Sequence, residues 1–281
     1  MKKRTPSSRS RAVRSVGSHS LVRRAGTLLA LLAGLSLHSC APIPAQHELA
    51  AAGAGLEKLA KGLGKVVREH AGAAVATRPT HRALCYDAFA ILHSGESKTA
   101  VYVAQKLNRA LVLDADEKRT NRFFADARLR SSERATLEDY KGSGFDRGHL
   151  APAGQMPTPA AMAQSFSLAN MVPQAPEHNR GAWRTSVEDA TKKYAGRATG
   201  DVYVITGPVY APSIARSRGI GPGQVRVPTY LFKLVYDQDQ GRAWAHWHVN
   251  DNATRGSRPI SYSELTQRTG IDFLPGVHLA D

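Results

Sequence analysis

Two cysteines in 281 residues are too few for a disulfide framework or a cysteine-bound zinc cluster, and no HExxH pair offers zinc another home. No internal repeat recurs, which excludes a solenoid or propeller. The main apolar run, Ala25 to Leu37, is shorter than the roughly 20 residues needed to cross a bilayer. Acidic residues are absent before Cys40, where eight basic ones stand, so eight of the 15 net positive charges belong to the first 39 residues. The remaining +7 favours a polyanionic partner without demanding one. Strand-like and helix-like segments lack βαβ regularity, which argues against a doubly wound parallel sheet and for an α+β fold around an antiparallel one.

What is present begins with an address. A basic start, a short apolar stretch and a small residue before Cys40 make residues 1–39 an export signal. Leu37 and Ser39 ahead of Cys40 match a bacterial lipoprotein signal, with Cys40 taking the lipid and anchoring the chain to a membrane of the envelope; His38 departs from that pattern. The alternative is an ordinary signal delivering a periplasmic or secreted chain. Cys85 is expected as a buried, unreactive thiol at a strand start, and a Cys40–Cys85 bridge arises only without the lipid. Residues 40–80 read as an Ala/Gly-rich tether. Leu49, Leu56, Leu59, Leu63 and Val66 fall near helical spacing among lysines, but the glycines weaken a helix there.

The globular domain is expected over 81–281. Strands are predicted over Cys85–Leu92 and Thr99–Leu107, separated by the turn cluster Ser94-Gly95-Glu96-Ser97. Pro157–Ala163 and Gly181–Tyr194 have helical character, Ser167–Val172 is extended, and Asp201–Thr206 is a buried strand. Thr229–Tyr236 and Arg242–Val249 form a hairpin, and Ser261 through Glu264 is a capping box opening a late helix.

The chemistry concentrates in Gly144-Phe145-Asp146-Arg147-Gly148-His149-Leu150-Ala151-Pro152. Breaking a phosphodiester needs a base for water, charge neutralisation on phosphate, and a stabilised leaving oxygen. Histidine suits the first, because its neutral imidazole accepts a proton near pH 7. Arginine offers a planar fork for phosphate. A hydrated Mg²⁺ takes only one or two protein oxygens, and Asn170, Asn179 and Glu188 follow within forty residues.

With these residues in view, the chain resembles the DNA/RNA non-specific endonucleases that carry a DRGH motif on a ββα-metal (His-Me finger) core. The likeness runs in order from Asp139-Tyr140 through the DRGH block, Ser165–Gln174, Asn179-Arg180-Gly181-Ala182-Trp183, Val202–Pro208 and Val227–Lys233, covering about residues 82–278. It implies His149 as general base and Asn179 as ligand of Mg²⁺, with Mn²⁺ or another divalent ion as substitutes. Arg147 and Asn170 would lie near the phosphate or the hydrated metal. A phosphate-binding arginine precedes Phe123-Phe124-Ala125-Asp126; Arg119 and Arg122 are both available, with Arg119 preferred. DNA and RNA would be the substrates, and a homodimer stays open. Glu188 departs from the pattern, standing five residues after Trp183 instead of four. Either a local bulge restores its carboxylate or the role shrinks or passes to Asp189. That slip is the sole support for an alternative, a surface nucleic-acid-binding lipoprotein with an impaired nuclease fold. Asp146 is expected to be scaffold, Trp183 core, and His246 and His248 solvent-facing; Lys192-Lys193 and Arg216–Arg226 are candidate groove residues.

Overall fold

The computed structural model describes residues 80–280, so the signal, Cys40 and all of the tether before Thr80 lie outside the described residues. The strands are β1 (His81–Cys85), β2 (Phe89–Ser94), β3 (Thr99–Leu107), β4 (Asp146–His149), β5 (Met171–Gln174), β6 (Val202–Val209), β7 (Gly219–Ile220), β8 (Val225–Arg226), β9 (Tyr230–Asp237), β10 (Arg242–Val249) and β11 (Ile260–Ser261). Seven form one sheet in the order β1-β2-β3-β6-β9-β10-β11, every neighbouring pair antiparallel. β4 pairs with β5 and β7 with β8 outside it. The α+β architecture expected from the sequence is the one that forms.

Strands β3 and β10 fall on the predicted segments. The predicted strand Cys85–Leu92 is instead a corner: β1 ends at Cys85, the Tyr86 N–H donates to the Phe89 carbonyl at 3.0 Å, and β2 begins there. Asp87 is the turn signal that the apolar residues around it conceal. Cys85 is correspondingly exposed and disulfide-bonded, not a buried thiol.

The sheet is covered on both faces. On one, Phe232, Leu234 and Ala245 pack against Leu265, Phe273 and Leu274. Leu265 belongs to the helix Tyr262–Thr269, which Ser261 caps by accepting the Glu264 N–H at 3.1 Å and which Gly270 ends at φ 68°. On the other, Ile91, Val103 and Leu231 meet Phe166, Trp183 and Val187 of the segment carrying β4 and β5. Trp183 is core, as expected. Strand register sets Val103, Thr206, Lys233 and His246 side by side across β3, β6, β9 and β10 on this second face. His246 and His248 share it and are buried, contrary to the solvent-facing expectation. Alternation along β10 reveals that they share a face, but not that another layer covers it.

Candidate active site

The β4–β5 pair sets His149 opposite Met171 at the end of the ladder. Arg147 and His149 alternate with Gly148 and so point to one side of the strand. The glycine is demanded by close approach: a Cβ there would lie 2.7 Å from the Gln174 Cβ and closer still to its amide oxygen. Asp146 is scaffold, as expected. Its Oδ2 accepts from Asn179 Nδ2 at 2.9 Å and Arg180 Nε at 2.8 Å, and its Oδ1 from Arg180 Nη2 at 2.6 Å. Holding the amide nitrogen leaves Asn179 Oδ1 as the atom available to a cation.

A cavity of about 460 Å³ is lined by His149, Arg147, Asn179, Glu188 and Arg119 together. Arg180, Arg184, Lys192 and Asp189 also line it, giving five cationic side chains against two carboxylates. That balance suits a polyanion. The His149 ring stands edge-on to Phe166, centroids 5.1 Å apart, while the Arg119 guanidinium lies 5.0 Å over the same phenyl ring. Arg147 lies 4.2 Å over Phe123. Aromatic faces thus fix the base and both arginines. Burial, aided by the Arg119 charge, lowers His149 to about 3, so the imidazole is neutral at physiological pH. Its Nε2 is buried and has no hydrogen-bond partner among the described residues.

Glu188 reaches this cavity because its helix is not an α-helix. From Asn179 to Glu188 the backbone is a π-helix with a break at Gly181, followed by α-helix over Asp189–Ala195. Bonding from i to i+5 wraps an extra residue into each turn. Five residues after Trp183 therefore come back to the face that four would reach in an α-helix. The bulge left open by the sequence is present, and Glu188 sits half-buried on the cavity wall. Burial raises its carboxyl above the ordinary range, opposed by the charges of Lys233 and Arg119. The Trp183 indole N–H lies beside it and favours the ionised form without closing a full hydrogen bond.

Two expected site residues lie elsewhere. Asn170 is fully buried, and its amide is spent on backbone: Oδ1 accepts from Ala151 N–H, and Nδ2 donates to the carbonyls of Ala151 and Ser165, all at 2.9 Å. With every strong bond made to main chain, it clamps the segment after His149 and does not line the cavity. Arg122 is exposed and also outside it; of the two candidate arginines, Arg119 is the one present. Lys192 lines the cavity, whereas Arg218 lies over the Phe145 ring, outside it. Residues that the sequence reading missed are Arg180, Arg184, Gln155 and Lys233. Gln155 Nε2 donates to the Glu188 carbonyl at 3.1 Å. Lys233 had a signal: it is a charged residue on the inward parity of β9, in mid-strand between Leu231 and Val235.

Among the described residues no cluster of three or more His, Cys, Asp or Glu could hold a metal. What the cavity offers is the amide oxygen Asn179 Oδ1, with the Glu188 and Asp189 carboxylates lining the same space. Few, hard oxygen donors fit a largely hydrated Mg²⁺ and not a zinc cage.

The model of the DNA/RNA non-specific endonuclease family matches residues 71–280. Human mitochondrial endonuclease G is 31% identical over 211 residues, covering 69% of this chain and 67% of its own. The mitochondrial nuclease EXOG of Xenopus laevis is 32% identical over 163 residues, covering 54% of this chain but only 44% of its own, so the chain spans less than half of that relative. Among solved structures, the EndoG/EndoGI complex superposes with a TM-score of 0.60 at 22% identity, covering 68% of this chain and 85% of that one, a likeness of fold.

Proposed function

Since the chain belongs to the DNA/RNA non-specific endonuclease family, we propose that it cuts phosphodiesters with His149 as general base and Asn179 as the protein ligand of a divalent cation. The observation that carries this is the convergence of His149, Asn179, Arg147, Arg119 and Glu188 on one basic cavity. Neutral His149 takes a proton from water while the water oxygen bonds to phosphorus. The bond from phosphorus to the 3′ oxygen breaks, leaving a 5′-phosphate, and the departing oxygen takes a proton from solvent. Arg147 and Arg119 balance charge on the non-bridging oxygens. Asn179 Oδ1 would hold Mg²⁺ or Mn²⁺, which when bound would supply Lewis-acid stabilisation of the phosphate and the leaving oxygen. Glu188 serves that cation's hydration. Contacts to backbone phosphates suit DNA and RNA alike and little sequence preference.

Plasmid nicking in Mg²⁺ by the wild type and by His149→Ala tests the reading. The variant is expected to lose about 10²–10⁴-fold in rate; equal cleavage removes His149 as base.

Export belongs to the same proposal. The basic-then-apolar start supports it. Cys40 is the chain's other cysteine, so a lipid there and a bridge to Cys85 exclude each other. The mass of the mature N-terminal peptide distinguishes a membrane-anchored envelope lipoprotein from a periplasmic or secreted enzyme.

A further inference from the structure

Lys233 stands in the middle of β9 with 0% exposure. A buried ammonium is costly unless it is hydrogen-bonded and charge-paired. Its Nζ donates to Thr206 Oγ1 at 2.6 Å and to the Leu150 carbonyl at 3.3 Å, and lies 6.0 Å from the centre of the Trp183 ring. Those partners are neutral. On the sheet, the groups facing Lys233 are Thr206 and His246, directly opposite on β6 and β10, with His248 two residues along. Burial keeps both histidines neutral, as it does His178, which hydrogen-bonds His248. The negative charge that acts on Lys233 is the Glu188 carboxylate, from the helix above the sheet. The coupling is mutual: Lys233 is the foremost charge favouring the ionised Glu188.

One ammonium therefore acts on both arms of the site, by a hydrogen bond on the first and by charge, without a direct ion pair, on the second. It holds the carbonyl of the residue directly after His149, and it balances the carboxylate on the cavity wall. We propose that Lys233 is a positioning residue of the nuclease, a buried cation that joins the backbone behind His149 to the Glu188 carboxylate as one charge-paired unit. It meets no substrate and acts through those two residues, so the inference rests on the roles assigned to them above.

A double-mutant cycle in the full chain, with Lys233→Met, Glu188→Gln and both together, tests it through kcat, KM for DNA and thermal melting. Lys233→Met is expected to lower kcat by about 100-fold, with KM for DNA changed less than about threefold. In the Glu188→Gln background the same change is expected to cost under about threefold more, because the unit is already broken. The double variant is expected to melt above Lys233→Met alone, since it removes the carboxylate left unpaired. If Lys233→Met does not fold, recovery of soluble protein in the double variant is the expected result, and no recovery overturns the proposal. Losses in kcat that multiply, with melting shifts that add, also overturn it, leaving Lys233 as packing. Wild-type kcat in Glu188→Gln alone would instead sink the role of Glu188, and melting would still report whether the two charges pair.

Discussion

The backbone N–H of Asp189 donates to the carbonyl of Arg184, five residues earlier. An α-helix would have used Thr185. The wider turn decides where the next side chain points, since one residue of slip in an α-helix rotates a side chain by about 100°. Through it, the carboxylate five residues after Trp183 reaches the cavity that holds His149 and Asn179.

Shortening that turn should therefore be tolerated. Deleting the exposed Thr185 leaves Glu188 four residues after Trp183 and lets the segment relax to α-helix with the carboxylate on the same face. The expected outcome is folded protein with kcat within about tenfold of wild type, against a loss of about 100-fold in Glu188→Gln. A deletion as damaging as Glu188→Gln would show that the wide turn does not place the carboxylate.

What was legible in the sequence was chemistry bound to a local pattern. Arg147, Gly148 and His149 are neighbours on one strand, and Asn179 opens the helix that follows its partner strand, so motif order and spatial order agree. Asn170 misled for a physical reason. An asparagine whose amide is saturated by main chain reads in a sequence like one free to bind a cation, and only the hydrogen bonds to Ala151 and Ser165 separate the two. Buried His246 and His248 misled similarly, because parity along β10 does not reveal which face is covered.

Asn170→Ala should act on stability first. It strands the Ala151 N–H and two carbonyls in a fully buried site. Leaving buried polar groups unpaired costs about 1–3 kcal/mol each, partly relieved by relaxation. A loss of roughly 2–4 kcal/mol in urea unfolding is expected, with DNA binding in EDTA near wild type well below the melting transition. Unchanged stability with lost catalysis would return Asn170 to the site.

Gly148→Ala should fail for a reason separable from catalysis. The new methyl group meets Gln174 at its amide oxygen and also at its Cβ, 2.7 Å away. Shortening the neighbour to Gln174→Ala removes the amide but keeps that Cβ, so the double variant should stay destabilised by about 1–3 kcal/mol. Gln174→Gly removes both obstacles. Thermal melts of the three variants check this order; a full rescue by Gln174→Ala would place the clash at the amide alone.

Acid should unfold this domain earlier than its carboxylates alone would. Burial lowers His149 to about 3 and both His178 and His246 to about 4. In the folded chain these rings stay neutral, whereas in the unfolded chain each takes a proton near pH 6.5. Between that pH and about 4 the unfolded chain binds more protons, so stability falls with pH by about 1.4 kcal/mol per unit for each proton. Glu188 works the other way: raised by burial, it retains a proton in the folded chain at pH values where an unfolded carboxyl has lost it. That offsets one histidine; because burial lowers His93 and His248 as well, the net uptake on unfolding is at least two protons. Urea midpoints measured from pH 7.5 down to 4.5 should decline throughout, and His246→Phe should flatten the slope by about one proton. A midpoint unchanged across that range would mean that the folded chain already carries these histidines charged.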